Sequence, residues 1–334
     1  MFFSPNVSRE QRADFCKILG FNSTPKLGSY LGFPLRHARA LNQDLNFILD
    51  CVNQKLAGWK AYVLSFAGRK VLIQATTSAI PSYVMQTTFL PSRILENLDR
   101  LNRNFLWGSS EPKRRMHWVG WEKITQPLDK GGLGLQTAKG RNLACLSKLN
   151  WRFHSEKDSL WAQVLRKKYM TQRRMSSSNE NSLPSSRIWK AMKKGMDVFK
   201  RGMRWSLGRD SNLRFWYDSW TSNGPFRSTI HGPLTREEKE IKVKDLASLD
   251  GWDWGKLSLI LPPKIFLEIQ AMPHSHFANE EDRIIWNTTT NGNFNLSFAY
   301  ILANGEAPQF FNGKCIWKLK VLPRIQSFFL DVFS

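Results

Sequence analysis

Acidic side chains, cysteines and long apolar stretches are scarce in this sequence. The four cysteines, Cys16, Cys51, Cys145 and Cys315, lie far apart with no C-x-x-C among them. That spacing argues against a disulfide framework and a complete zinc site, and for free thiols in a reducing compartment. Histidine is nearly as sparse, and of the six only His274 and His276 stand close together. Two histidines with no cysteine nearby fall short of the three or four protein ligands that zinc takes. No apolar run approaches the roughly 18 residues of a membrane span. The start, MFFSPNVSRE, lacks the basic region and apolar core of a secretion signal. The expectation is an intracellular chain, nuclear or cytoplasmic, with no membrane partner. Carboxylates are thinly placed, and no Asp-Asp pair occurs. A nucleotidyl-transfer or nuclease site needs clustered carboxylates holding two metal ions about 4 Å apart. The densest acidic group, Glu280-Glu281-Asp282, directly precedes a strand pattern and reads as a solvated edge. No G-x-S-x-G occurs either. No catalytic residue and no cofactor is legible.

Positive charge is what the chain has in excess: 49 Lys+Arg against 27 Asp+Glu, a net of +22. The excess is concentrated. Residues 1–99 carry 11 basic and 6 acidic side chains, residues 100–204 carry 24 and 7, and residues 205–334 carry 14 of each. A segment as basic as the middle one repels itself unless counter-ions or a polyanion lie against it. Seven tryptophans, Trp107, Trp118, Trp121, Trp151, Trp161, Trp189 and Trp205, are interleaved with that charge. Basic side chains bind phosphates and aromatics stack on bases, a pairing typical of nucleic-acid surfaces. The plainer alternative is a solvated face over a core that uses most of those tryptophans.

The stretch WGSSEPKRRMHWVGWEKITQPLDKGGLGL, Trp107 to Leu135, poses the choice most sharply. A phosphate-cradling loop needs four residues between its first glycine and a Gly-Lys-Ser/Thr, and a dinucleotide loop needs G-x-G-x-x-G. Gly131, Gly132 and Gly134 satisfy neither, since Thr137 stands where the third glycine belongs. A nucleic-acid surface and an ordinary turn remain.

Periodicity predicts a mainly α protein with a smaller α+β part. Leu41, Leu45, Ile48, Leu49, Val52, Leu56 and Trp59 form the stripe of an amphipathic helix. A second helix runs from about Gly68 to Ala79, before Pro81, and a third starts at Pro91-Ser92, with Ser92 as its N-cap. Further helices carry Leu143 to Phe153, Leu160 to Leu165, and Ile188 to Met203. Thr171–Ser186 is a polar, serine-rich loop. Beyond Trp205 the texture turns to strands, with a hairpin expected across Gly208–Ser211 and a second at Asn291-Gly292.

YLGFPL, followed by LAGWKAYVLSFAGRKVLIQATTSAIPSYVMQTTFLPSRILENLDRLNRNFLWG, resembles the region after the polymerase palm in plant LINE-type non-LTR retrotransposon reverse transcriptases. The resemblance continues through HWVGWEKITQPLDKGGLGL, ACLSKLNWRF and RFWYDSW, and through DRIIWNTTTNGNFNLSFAYILA to IWKLKVLPRIQSFF. It implies four parts: 1–36, the last strands of a palm; 37–107, a helical thumb; 108–204, a basic helical connector; and 205–334, an α+β region. The last includes, from about 280, the start of a zinc-binding domain. Tyr30, Leu31 and Gly32 match the strand near the primer grip. Trp59, Lys60, Gly68, Arg69 and Lys70 match the thumb that closes over template and primer. Trp107-Gly108, Trp118, Trp121 and Gly131–Leu135 match the linker after it. With the basic residues Lys113, Arg114, Arg115, Lys123 and Lys130, the resemblance implies backbone-type binding of RNA, DNA or an RNA–DNA hybrid. The departures point away from catalysis: the family's metal-binding aspartates lie in palm motifs absent here, and its zinc ligands lie beyond Phe329. The implied function is that of a non-catalytic, nucleic-acid-binding remnant. The alternatives are RNA-directed DNA polymerase activity, inherited in name from an intact parent, and a soluble helical scaffold for protein partners. Nothing in the sequence specifies an oligomeric state.

Overall fold

The computed structural model describes residues 2–3, 6–24, 29–30, 33–34, 45–56, 58–109, 115–170, 185–208, 211–248, 251–272 and 281–305. The architecture is mainly α, with short antiparallel strand pairs and a smaller α+β part toward the carboxyl end. Helix α1 (Arg9–Leu19) is set by a reciprocal cap, in which Ser8 and Gln11 bond each other's backbone N–H, and by left-handed Gly20 after it. None of its residues is buried. Strands β1 (Ser29–Tyr30) and β2 (Phe33–Pro34) form a minimal antiparallel pair.

The single helix expected from Leu41 to Trp59 is two, α2 (Asn46–Lys55) and α3 (Gly58–Val63), with residues 41–44 outside the described set. Leu56 closes α2 by turning into the core, and α3 restarts at Gly58, the weakest helix former in the run. Helix α4 (Phe66–Ala79) matches its periodicity, with Ser65 accepting the Gly68 N–H as N-cap. The short α5 (Ser82–Met85) follows Pro81. In α6 (Ser92–Trp107) the cap is Pro91, whose carbonyl accepts from Ile94 and Leu95; Ser92 is already helical and its hydroxyl caps nothing. The φ that proline fixes suits the residue before the first helical turn, which moves the start back by one.

After α7 (Trp121–Ile124) the chain enters α8 (Ala138–Ser155), the hub of the molecule, which packs against α5, α6, α10 (Arg187–Gly202) and α14 (Leu296–Asn304). Helix α9 (Leu160–Tyr169) lies between α8 and α10 in sequence. The α8–α10 contact is close because Gly195 leaves room: a Cβ there would stand 2.6 Å from the Leu146 carbonyl carbon. The apolar core of α2–α6 runs without a break through Val119, Trp121, Ile124, Leu133 and Leu135 to Cys145 on α8.

Strand β3 (Met203–Ser206) corrects the hairpin expected across Gly208–Ser211. It pairs instead with β6 (Arg283–Trp286), far along the chain. Phe215, Trp216 and Trp220, expected on that hairpin, are buried on all sides in a second, aromatic core with Phe226 and Trp252, which a half-exposed hairpin could not provide. Helices α11 (Arg236–Glu240), α12 (Val243–Leu246) and α13 (Pro263–Gln270) and the pair β4 (Ala247–Ser248) and β5 (Gly251–Trp252) complete that region. At Asn291-Gly292 the chain does turn back, Gly292 adopting a left-handed φ and its carbonyl accepting from the Trp286 N–H. It then enters α14, capped by Asn295, and not a second strand.

Asp99 of α6 accepts the N–H of Ala138 in the first turn of α8. Burial outweighs that bond and pushes the carboxyl up to about 6. The folded state therefore binds this proton more tightly than the unfolded chain. Stability from Asp99 is present at low pH and is lost as pH rises through about 6. Against Asp99→Asn, the wild type should lose about 2 kcal/mol between pH 4 and 7, since each tenfold gain in proton affinity on folding is worth ~1.4 kcal/mol and part of the gain is already lost at pH 4. Denaturant titrations of both proteins across that range test this; a constant difference would refute it.

Candidate nucleic-acid interface

Two of the expected binding residues, Arg69 and Arg115, lie near the carboxyl end of α6. Arg69, in the first turn of α4, donates Nη1 to the Leu106 carbonyl at 3.0 Å and Nε to the Leu64 carbonyl at 3.2 Å. It thereby ties α4 to the last turn of α6, where a cation also meets the negative end of the helix dipole. Phe66 packs on Trp107 with ring centres 5.6 Å apart, and His117 stacks on Trp107 at 6.3 Å. Ser109 fastens the returning chain: its hydroxyl accepts from the Arg115 N–H, donates to the Arg115 carbonyl and lies 3.4 Å from His117 Nε2. Burial, with Arg103 nearby, pushes the His117 imidazole down and favours its neutral form.

Arg115 is exposed, and its guanidinium sits 5.8 Å over the Tyr62 ring. Burial and the Arg115 charge both push Arg69 down, so the two like charges repel across this patch. Among the described residues, no carboxylate forms an ion pair with Arg69, Lys70 or Arg115. Two aromatics at the patch remain half open to solvent, Tyr62 at 53% and Trp118 at 50%. Paired positive charge beside open aromatic faces can hold phosphate and stack a base.

The other expected residues fall in several places. Lys60 donates Nζ to the Lys55 carbonyl, closing α2 beside the patch, and Lys70 is half-buried on α4. Trp59 lies in α3, with its side chain outside the described set, as are Lys113 and Arg114. Lys123 is half-buried on α7, while Lys130 lines a separate hollow of about 280 Å³ with Tyr300 and Asn304 of α14. Tyr30 pairs with Phe33 between β1 and β2, and Leu31 and Gly32 lie outside the described set. Of the seven tryptophans in the basic middle, Trp118 alone is exposed. The glycine cluster is a turn: the N–H groups of Gly132, Leu133 and Gly134 bond Pro127, Ile124 and Gln126, and bury Leu133 and Leu135. Tyr62 is not singled out by its sequence, and only its exposure in a run of apolar residues marks it.

Cys16, Cys51 and Cys145 are unpaired, and Cys315, His274 and His276 lie outside the described residues. Among the described residues no three His, Cys, Asp or Glu side chains group as metal ligands, and no helix is long and apolar enough to cross a membrane. Asp282, from the acidic run, accepts the Gly208 N–H at 2.9 Å.

The chain is 35% identical over 304 residues to an Arabidopsis thaliana protein named "Putative ribonuclease H protein", covering 88% of this chain and 49% of that one. It thus spans about half the length of that relative. It is 29% identical over 143 residues to an "Uncharacterized mitochondrial protein" of Arabidopsis thaliana, covering 42% of this chain and 92% of the relative. No protein-family model matches the chain. No solved structure matches it.

Proposed function

We propose that this chain binds nucleic acid as the thumb-and-connector part of a retroelement protein of the reverse-transcriptase kind, with no polymerase chemistry of its own. One observation carries the reading: exposed Arg115, which has no acidic partner among the described residues, holds its guanidinium over the half-exposed Tyr62 ring, and its positive charge reaches Arg69. Under this reading residues 1–36 derive from the palm, 37–107 from the thumb, 108–204 from the connector and 205–334 from the region leading into a zinc-binding domain. The relative's name supports a nucleic-acid partner. The ribonuclease activity in that name needs a carboxylate cluster for two metal ions, and half of that relative lies outside the match.

Phosphate contacts position a protein on a duplex without reading sequence. Replacing Lys113, Arg114 and Arg115 together by alanine should therefore weaken binding about equally for unrelated sequences. The slope of log K against log salt should flatten by up to about three, at ~0.9 per lost contact on B-form DNA. Anisotropy titrations of labelled DNA duplex and RNA–DNA hybrid at four salt concentrations measure it. A protein scaffold whose charge only keeps it dissolved would keep both affinity and slope.

A further inference from the structure

A second cationic surface, apart from the patch at the end of α6, is the outward face of α10. Ala191, Met192, Gly195, Val198 and Phe199 turn inward and are buried. Opposite them Arg187, Lys190, Lys193, Lys194, Lys200 and Arg201 are exposed. Spacings of three and four residues keep them on one side over about 21 Å, at ~1.5 Å per residue. The single acid among them, Asp197, is held by Arg201 at 2.8 Å. Among the described residues no other cation of this face has a carboxylate partner; Lys194 instead lies 5.9 Å over the Phe89 ring. Tyr169, at the end of α9, stacks on Trp189 at 4.6 Å and accepts the Ser186 N–H, and Lys168 lies 5.4 Å over its ring at the start of α10.

So many like charges on one rigid side cost self-repulsion, which a polyanion relieves. Because the apolar side of α10 is spent in the core, the helix cannot bury it among lipid tails as an interfacial helix does. A linear row of fixed cations complements a nucleic-acid duplex, which presents one negative charge per ~1.7 Å of axis. We propose that the outward face of α10 is a second phosphate-binding surface for duplex DNA or RNA–DNA hybrid, distinct from the Arg69–Arg115 patch. It rests on the nucleic-acid reading above. Lys194 against Phe89 puts this surface near the amino end of α6, and the first patch lies at the other end. A duplex engaging both spans the 16 residues of α6, about 24 Å or roughly seven base pairs at ~3.4 Å each.

The test compares the full chain with a variant carrying Lys190→Gln, Lys193→Gln, Lys194→Gln and Lys200→Gln, all exposed positions that leave the core intact. With a 20-base-pair DNA duplex the salt slope should flatten by roughly three to four, at ~0.9 per contact. The same four changed to Arg should restore it, and far-ultraviolet circular dichroism should match the parent. An unchanged slope overturns the proposal. So does a variant that loses binding to phosphatidylserine vesicles while keeping its duplex affinity. If the 113–115 variant is weakened and the α10 variant is not, only the second surface falls. If the parent chain binds neither duplex nor hybrid, the nucleic-acid reading falls first and takes this one with it.

Discussion

Asn142→Ala should cost about 4 kcal/mol, a large share of the ~5–15 kcal/mol by which a domain is usually stable. Asn142 is fully buried in α8, and its side chain is the polar joint between α8 and the chain linking α5 to α6. Its Oδ1 accepts the Leu90 N–H at 2.8 Å, and its Nδ2 donates to the carbonyls of Met85 at 3.1 Å and Thr88 at 2.9 Å. Alanine strands one buried donor and two acceptors, each costing ~1–3 kcal/mol when no water replaces the partner. Leucine at this position fills the volume yet leaves the same groups unpaired, so it should be nearly as damaging. Denaturant unfolding of both variants separates polar from packing effects. A loss below ~1 kcal/mol, or a leucine variant close to wild type, would show that the amide is dispensable.

The second large effect is at Gly132. A Cβ there would fall 2.0 Å from the Gln126 carbonyl oxygen and 2.4 Å from its carbon, against an ordinary closest C···O approach of ~3.3 Å. Both sides of the collision are backbone, so no rotamer change relieves it. The turn has to open, breaking the bonds that Gly132 and Leu133 make to Pro127 and Ile124 and drawing Leu133 and Leu135 out of the core. Gly132→Ala should therefore cost at least about 3 kcal/mol, in the range that marks a forced backbone or core change. Gly120 provides the control. Its φ is −59° and an added Cβ meets nothing within 4 Å, so Gly120→Ala should stay within ~0.5 kcal/mol of wild type. Thermal melts of the two side by side decide it, and equal melting temperatures would refute the close approach at Gly132.

Local and additive properties were determined by the sequence alone. Net charge and its concentration in residues 100–204 are sums over side chains, and no fold alters them. The periods of α4, α6, α8 and α10 were readable because a helix buries one side whatever it packs against. At the glycine cluster the failed phosphate-loop spacings still left a nucleic-acid surface and a turn, and the backbone bonds of Gly132, Leu133 and Gly134 show the turn. Properties that depend on a distant partner were decided by tertiary structure. Strand β3 reads as half of a local hairpin because RWSLGRDSNLRFW alternates as strands do. Its partner β6 lies far along the chain, and nothing local encodes that pairing. Burial depends on neighbours too: Trp107 and Trp121 are covered by helices that meet only in the fold, whereas Trp118 and Tyr62 are left open. The same holds for charge. Arg69, Arg115 and the lysines of α10 are equivalent letters in a basic sequence. Packing turns Arg69 inward onto the Leu106 carbonyl, holds Arg115 over Tyr62, and spends the apolar side of α10 so that its cations all face water.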